Sequence, residues 1–380
     1  MCFPILLLNL QANFSKSVTM DGFKNIEIKN FRGIDHLKID DFSRVNVFLG
    51  QNSSGKSTVL EAIRLLTGMN NPDMPQNINR FRTRNFYSGF KDLYYLFHNM
   101  DLRTSPEILS EQVDGIKRDL RLTMTYVFDE KAVVQSNGQN GTLPVSETKT
   151  FFNTLLMDFD IFSVEETKHY QSSLTVNPEG ITVNKKPAED YLEKLNTIYL
   201  TADLWGINLA SELTELFKRR QKGAVLERLK YFDNRIADVD ILQDDIYIDF
   251  EGIQEKLPIR MTGDGLRRYL NIVATSANPM TSIILIDEID NGLHYSVYKK
   301  LWEAIFALAT TTNKQVFVTT HSKETLCRLN EMLEENPTYQ QEMRLYTIAN
   351  TQKNGYQAYK YTYEGLSGAC ENDVELRGMV

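Results

Sequence analysis

The chain has 380 residues, with 42 basic and 50 acidic side chains for a formal charge of -8, and 42% of its residues are apolar against 24% charged. That composition excludes a disordered or fibrous chain, and the acidic balance argues against coating nucleic acid by bulk charge while leaving room for a local basic patch. Three cysteines, Cys2, Cys327 and Cys370, lie far apart in sequence and match no metal spacing, which points to a reducing, cytoplasmic compartment. No run approaches the roughly 18 to 20 apolar residues a membrane helix needs, so no membrane is expected as a partner.

Residues 1–19 read as a leader. Its apolar block (Phe3, Ile5, Leu6, Leu7, Leu8) is broken by Pro4 and has neither a basic segment before it nor a small-residue cleavage site, unlike a secretory signal. Met20 opens the first patterned segment and stands as an alternative native start. From Phe23 the apolar residues alternate (Ile26, Ile28, then Ile34, Leu37, Ile39), and Val45 to Leu49 is nearly continuous, which predicts strands ending in a buried one. A glycine loop follows, and then Val59, Ile63 and Leu66 recur at helical spacing up to Gly68.

The middle, from about residue 70 to 260, reads as an elaboration on this core. Strict alternation at Leu120, Leu122, Met124 and Tyr126, and the pair Leu174, Val176 and Ile181, Val183 around Pro178-Glu179-Gly180, predict antiparallel strands. Gln135 to Thr150 reads as a polar loop and Ala210 to Ile236 as one helix. The last third alternates again: a helix with the stripe Leu266, Tyr269, Leu270, Val273; a strand at Ile283 to Ile286; a helix from Tyr295 to Ala309; and a strand at Gln315 to Thr319. Strands alternating with helices imply a mostly parallel sheet.

Four elements carry chemistry. Gly50-Gln51-Asn52-Ser53-Ser54-Gly55-Lys56-Ser57, followed by Thr58, fits the phosphate-loop pattern G-x-x-x-x-G-K-[ST]. Its glycines let backbone N–H groups and a helix N-terminus face phosphate oxygens, Lys56 adds a mobile positive charge, and the Ser57 hydroxyl suits Mg²⁺. The apolar strand Ile283 to Ile286 ends in Asp287-Glu288, carboxylates that are costly there unless a cation or polarised water awaits them. Asp287 is read as a metal residue and Glu288 as the base that deprotonates water. Gly263-Asp264-Gly265 ahead of a helix makes a second anion site, and His321 closes a strand where an imidazole can donate to a γ-phosphate. Met singly, each of the last three has a plain structural reading; their order beside a phosphate loop carries the functional one.

In that order the motifs resemble the ATPase heads of the ABC superclass, in the branch holding SMC, RecF and OLD-type proteins. The resemblance starts at Asn30-Phe31-Arg32-Gly33-Ile34 and runs through the Walker A loop, the signature at Gly263 to Leu266, the Walker B strand, the loop Asp290-Asn291-Gly292-Leu293-His294 and His321. The runs D-E-I-D-N-G-L-H and G-D-G-L-R-R look most like OLD-type ATPases. The resemblance implies an α/β fold, an ABC-type P-loop NTPase head with a mixed sheet, an antiparallel β subdomain and a helical insertion. It implies one discontinuous head over 21–380: a Walker A lobe at 21–70, a β and helical elaboration at 71–260, signature, Walker B and switch histidine at 261–330, and a C-terminal cap at 331–380. It also implies a homodimer sandwiching two ATP molecules, with Arg32 near the phosphates, His321 sensing the γ-phosphate and Gly263, Asp264 and Gly265 contacting the partner's nucleotide. Two departures stand out: Gly263 replaces the usual signature serine, with Thr262 one residue earlier, which implies slow hydrolysis, and no glutamine is assigned to the Q-loop.

The stretch from Lys56 to Gly263 is too short and lacks the heptads for an SMC-type arm, and the stretch after His321 is too short for the TOPRIM nuclease of many OLD-type proteins. The leading expectation is an ATP-driven switch that regulates a separately encoded effector, such as a nuclease, in prokaryotic anti-phage or mobile-element defence. The alternative is a RecF-like repair protein that holds DNA through Arg80, Arg82 and Arg84, interleaved with aromatics in Asn79 to Tyr87, and through Lys218, Arg219, Arg220 and Lys222. Those clusters also read as solvated faces. A transporter ATPase is disfavoured by the G-D-G signature and the N-F-R opening.

Overall fold

The computed structural model describes residues 20–83, 90–130, 149–177, 181–201, 209–275 and 281–377. Strands β1 (Ile26–Phe31) and β2 (Ile34–Ile39) form a hairpin, and β3 (Val45–Leu49) leads into helices α1 (Lys56–Leu66) and α2 (Met74–Thr83). Then come β4 (Glu107–Glu111), β5 (Lys117–Glu130), β6 (Lys149–Phe162), β7 (Thr167–Val176), β8 (Thr182–Lys186) and β9 (Thr197–Leu200). Helices α3 (Leu209–Lys218) and α4 (Lys222–Phe232) precede β10 (Ile236–Leu242), β11 (Asp245–Phe250) and β12 (Leu257–Pro258). The remainder is α5 (Asp264–Thr275), β13 (Ile283–Ile286), α6 (Tyr298–Thr311), β14 (Gln315–Thr320), α7 (Lys323–Glu335), β15 (Met343–Thr351), β16 (Gly355–Tyr361) and α8 (Tyr363–Glu371).

The site rests on a six-stranded sheet of order β16-β15-β3-β14-β13-β9, parallel except for the edge strand β16. Its central strands are buried on both faces, which is why they read as continuous apolar runs rather than alternating ones. Alternate residues enter two different cores. Val45, Val47, Ile284, Ile286, Val316 and Val318 pack with α5, α6 and α7, while Phe48, Ile283, Leu285, Phe317 and Tyr346 face α1 and a second sheet. That second sheet, β2-β1-β4-β5-β6-β7-β8, is wholly antiparallel, and a third small sheet, β10-β11-β12, stands before the signature.

Several expectations change. The reading of Ala210 to Ile236 as one helix fails: α3 ends at Lys218, Arg220 turns left-handed at φ 61, and Gln221 N–H returns to the Leu216 carbonyl at 2.9 Å before α4 begins. A left-handed residue just past a helix closes its last carbonyls, and with no glycine or proline there the pattern gave no signal. Within residues 331–380, β15 pairs directly with the Walker A strand β3, and β9 of the middle section is the opposite edge of the same sheet. Strands β1 and β2 join the antiparallel sheet with β4. The turn at Pro178-Glu179-Gly180, most of the loop at 135–150 and the leader lie outside the described residues, although Lys149 and Thr150 open β6. Cys327 and Cys370, far apart in sequence, bring their sulfurs to 3.9 Å between α7 and α8, and burial foremost pushes the Cys370 thiol up to about 12. Among the described residues no helix is long and apolar enough to cross a membrane.

The sheet layers are locked by one amide. Gln315, fully buried, accepts from Phe23 N–H at 2.8 Å and donates to the carbonyls of Phe23 and Ser43 at 2.8 and 3.0 Å. Gln315→Ala is expected to lower stability by about 2 to 3 kcal/mol by leaving those backbone groups buried and unpaired, measurable by urea denaturation.

Candidate active site

The phosphate loop begins where β3 leaves the core. Gly50 has φ +152, and a Cβ there would stand 2.5 Å from both the Ile348 carbonyl oxygen and Ser54 Oγ; Gly55 has φ +96 at the start of α1. Both positions therefore need glycine. Gln51, Asn52 and Ser53 are exposed, Ser54 and Gly55 are half-buried, and Ser54 Oγ has no hydrogen-bond partner among the described residues. Lys56 is buried and folds back so that Nζ donates to the Gly50 and Gln51 carbonyls at 2.9 and 2.7 Å. Burial pushes its pKa down, opposed by the carboxylates of Asp287, Glu288 and Asp290. A cradle of N–H groups and an ammonium whose partners among the described residues are loop carbonyls are suited to receive phosphate oxygens.

Asp287, at the end of β13, gathers three hydroxyls. Oδ1 accepts from Ser57 Oγ at 3.0 Å and from Thr319 Oγ1 at 2.5 Å, and Oδ2 accepts from the Tyr199 phenol at 3.0 Å. Burial first, and then the carboxylates of Asp287 and Glu61, push the Tyr199 phenol well above its ordinary pKa, so it remains a donor. Thr319 and Tyr199 were not singled out in the sequence: each is an ordinary strand residue, and only the parallel register of β9, β13 and β14 brings them to Asp287. Thr319 Oγ1 also accepts from Glu288 N–H at 2.8 Å. Glu288 turns the chain at φ 50, and its Oε2 accepts from Asn291 Nδ2 at 3.1 Å. His321, at the end of neighbouring β14, sets Nδ1 3.2 Å from Asp290 Oδ2.

Ser57 and Asp287 are hard oxygen donors, and no group of three or more His, Cys, Asp or Glu that could hold a metal occurs among the described residues. This donor set fits Mg²⁺, which keeps several waters and takes phosphate oxygens rather than a full protein cage. Gly263 and Asp264 at the head of α5 are exposed, and nothing lies within 4 Å of a Cβ built at Gly263. Gly265 instead packs on Phe232 and Val297, each 3.4 Å from its would-be Cβ. Buried Arg268, one turn on, donates to the Glu288 and Ile289 carbonyls at 3.2 Å each.

Arg32 does not present a free guanidinium. Nε lies 2.7 Å from Glu61 Oε2, Nη2 donates to Asn79 Oδ1 at 2.8 Å, and Nη1 donates to the Tyr95 carbonyl at 3.5 Å. It walls a groove of about 420 Å³ together with Asn79, Arg82, Tyr95 and Phe97. The expected basic face of Asn79 to Tyr87 also turns partly inward: Asn79 is buried, and Arg82 grips Glu61 at 2.7 and 2.9 Å. A buried carboxylate one turn along α1 from Ser57 draws these arginines in, because leaving it unpaired there is costly. Arg80 is exposed, and Arg84 lies outside the described residues. Lys218, Arg219 and Arg220 are exposed, with Lys218 on Glu215 at 2.8 Å, while Lys222 is taken up by Asp238 and Asp240.

A phosphate loop and an acidic strand end that meet across a parallel sheet, with a glycine-led helix standing apart, make this a P-loop ATPase head of the ABC class, RecF/SMC-like. The family described as "AAA domain, putative AbiEii toxin, Type IV TA system" matches residues 45–327, and the chain belongs to it. It is 24% identical over 394 residues to an ATP/GTP phosphatase of Helicobacter pylori, covering 93% of this chain and 100% of that protein. It is 23% identical over 215 residues to the DNA replication and repair protein RecF of a Thermoanaerobacter species, covering 57% of this chain and 51% of that one. A solved SMC head bound to the C-winged helix domain of ScpA aligns with a TM-score of 0.46 at 14% identity, over 90% of this chain and 99% of that chain.

Glu61, with only 2% of its side chain exposed, neutralises both Arg32 and Arg82. Glu61→Ala is expected to cost about 3 kcal/mol by leaving two guanidinium groups facing each other, and Glu61→Gln less, read from chemical denaturation midpoints.

Proposed function

We propose that this ATPase is a nucleotide switch: it binds ATP with Mg²⁺, dimerises around the nucleotide, hydrolyses it, and thereby regulates a separately encoded effector. The observation that carries the reading is the 3.0 Å contact between Ser57 and Asp287, which joins phosphate loop and Walker B in one subunit while the head of α5 stays exposed. The subunit thus brings phosphate loop and Walker B together and, apart from them, exposes a glycine-led helix end at Gly263 and Asp264. The roles follow from the groups present. The loop N–H groups and Lys56, released from its two carbonyls, hold the β- and γ-phosphates. Ser57 and Asp287 would hold Mg²⁺, which would supply charge neutralisation on those phosphates. Glu288 takes the proton of the attacking water, and His321 contacts the γ-phosphate. Gly263, Asp264 and Gly265 reach the partner's nucleotide through backbone N–H groups, so ATP favours the dimer and its hydrolysis releases it.

A role beside an effector in anti-phage or mobile-element defence is supported by the family description, whose words name a toxin and a TA system. OLD-type ATPases are the branch its motifs resemble most. The RecF-like reading has its own support in the RecF relatives and in the exposed residues Arg80, Lys218, Arg219 and Arg220. Co-purification with the product of a neighbouring gene tests the first, and a chain that binds none and acts without any would refute it. ATP hydrolysis stimulated by duplex DNA and weakening steeply with salt favours the second.

Lys56→Ala is expected to abolish nucleotide binding by calorimetry. Glu288→Gln should cut turnover by about 100-fold or more and accumulate an ATP-bound dimer on size-exclusion. A Glu288→Gln protein that stays monomeric with MgATP at high concentration contradicts the sandwich.

A further inference from the structure

The two cysteines that the fold brings together take no part in the nucleotide chemistry. Cys327 lies on α7 and Cys370 in the last turn of α8, and the Cys370 thiol donates to Cys327 Sγ across 3.9 Å although 43 positions separate them in sequence. Both are free thiols, and each keeps part of its surface exposed. The elements that carry them are packed together: Leu326, Leu329 and Leu333 of α7 and Leu366 of α8 belong to one apolar core, and Cys370 lies against it. Beyond α8 the chain folds back over the same region. Asp373 pairs with Lys323 at the start of α7, Thr347 of β15 donates to the Leu376 carbonyl, and Arg377 Nη1 donates to the His321 carbonyl at 3.2 Å.

The two sulfurs are not equivalent. Burial first, and then the charge and hydrogen bond of Cys327, push the Cys370 thiol up to about 12, so Cys370 keeps its proton. Cys327 is the acceptor in the contact, and two cations of α7, Lys323 one turn earlier and Arg328 next in sequence, stand near enough to feel its charge. The nucleophile in thiol chemistry is the thiolate, and a proton held on Cys370 leaves Cys327 to supply it. In a reducing environment such a pair rests as two thiols and oxidises only transiently.

We propose that Cys327 and Cys370 form a redox-modifiable pair which hydrogen peroxide converts to a disulfide, fastening the unit β15, β16 and α8 onto α7. In the first step the Cys327 thiolate attacks a peroxide oxygen. An S–O bond forms and the O–O bond breaks; the leaving hydroxide takes up the proton that Cys327 had released, and Cys327 becomes a sulfenic acid, oxidised by two electrons as the peroxide is reduced. In the second step the Cys370 sulfur attacks Cys327 Sγ. The S–S bond forms, the S–O bond breaks, and the Cys370 proton departs with the hydroxide as water. Two thiols and one peroxide thus give one disulfide and two waters, and a dithiol reductant reverses the change. The cross-link closes a loop holding β15, the neighbour of the Walker A strand β3, and β16, the edge of that sheet, so it restrains their opening. Nothing in it depends on how nucleotide is bound or hydrolysed.

The test treats the full chain with a small excess of hydrogen peroxide, alkylates the remaining thiols and maps the unreduced digest by mass spectrometry. A peptide linked through Cys327 and Cys370 is expected, at least about tenfold over any disulfide containing Cys2, because two thiols in contact far outcompete micromolar collisions. Dithiothreitol should remove it. With dimedone as a trap for sulfenic acid, Cys370→Ser should be labelled at Cys327, and Cys327→Ser should be labelled at Cys370 at least about tenfold less. Hydrogen exchange reads the consequence: the α8 amides should exchange about tenfold more slowly in the cross-linked protein than in the reduced one. Full alkylation of both cysteines after peroxide overturns the pair, as does linkage mainly through Cys2 or between two chains. The opposite labelling pattern overturns the assigned order of attack, and unchanged α8 exchange in the cross-linked protein overturns the fastening. The linkage and exchange measurements use the unaltered chain, so they decide even where a variant fails to fold.

Discussion

Asp287 is where four separate stretches of chain are tied together. A carboxylate at the end of a fully buried strand is tolerated only if its charge is met, and here the hydroxyls of Ser57, Thr319 and Tyr199 all donate to it. Ser57 is 230 residues away in sequence, yet the bond sets how far helix α1, and with it the phosphate loop, stands from β13. The same threonine that serves Asp287 accepts from Glu288 N–H, so the place of Glu288 depends on that network. The site is thus a consequence of sheet order: β3, β14, β13 and β9 lie side by side, and their ends deliver lysine and serine, histidine, the carboxylates, and the tyrosine to one edge.

Helix α1 is held from behind by charge. Glu61 takes Arg32 from the turn between β1 and β2 and Arg82 from α2, and Asn79 completes the grip on Arg32 while bonding the Asp92 carbonyl at 2.6 Å. Burial pushes the Arg32 pKa down, and Glu61 pulls it back up, so the pair is a balance between desolvation and attraction rather than a simple gain. Its consequence is geometric: the antiparallel sheet and the ATPase sheet both bear on the helix that carries Lys56 and Ser57. The N-F-R segment is therefore a structural brace of the phosphate loop in this molecule.

Much of this was legible in sequence because it is local. The phosphate loop is contiguous, and its glycines occupy backbone geometries that few other residues take; β13 is a short apolar run ended by two acids; β5 alternates because one face of its sheet is buried. Where the signal is tertiary it was invisible. Nothing in Thr197 to Leu200 marks Tyr199 as a ligand of Asp287, and Arg82 sits in a run that looks like a cationic face until Glu61 turns it inward. The break between α3 and α4 uses Arg220 in a left-handed turn, a choice no composition rule foretells. The last fifty residues looked peripheral because β15 carries no motif, yet it lies against β3.

The sequence by itself determined the chemistry: a glycine loop with Lys56 and Ser57, the acids Asp287 and Glu288, and the histidine His321 are specified by residue type and order, because those groups act through properties they carry into any fold. Only the tertiary structure decided which of them touch, that buried Arg32 and half-exposed Arg82 both pair with Glu61 on α1, and that Asp290 stands beside His321. Those choices depend on strand order and on the cost of burying an unpaired charge, and both are settled only when distant segments meet.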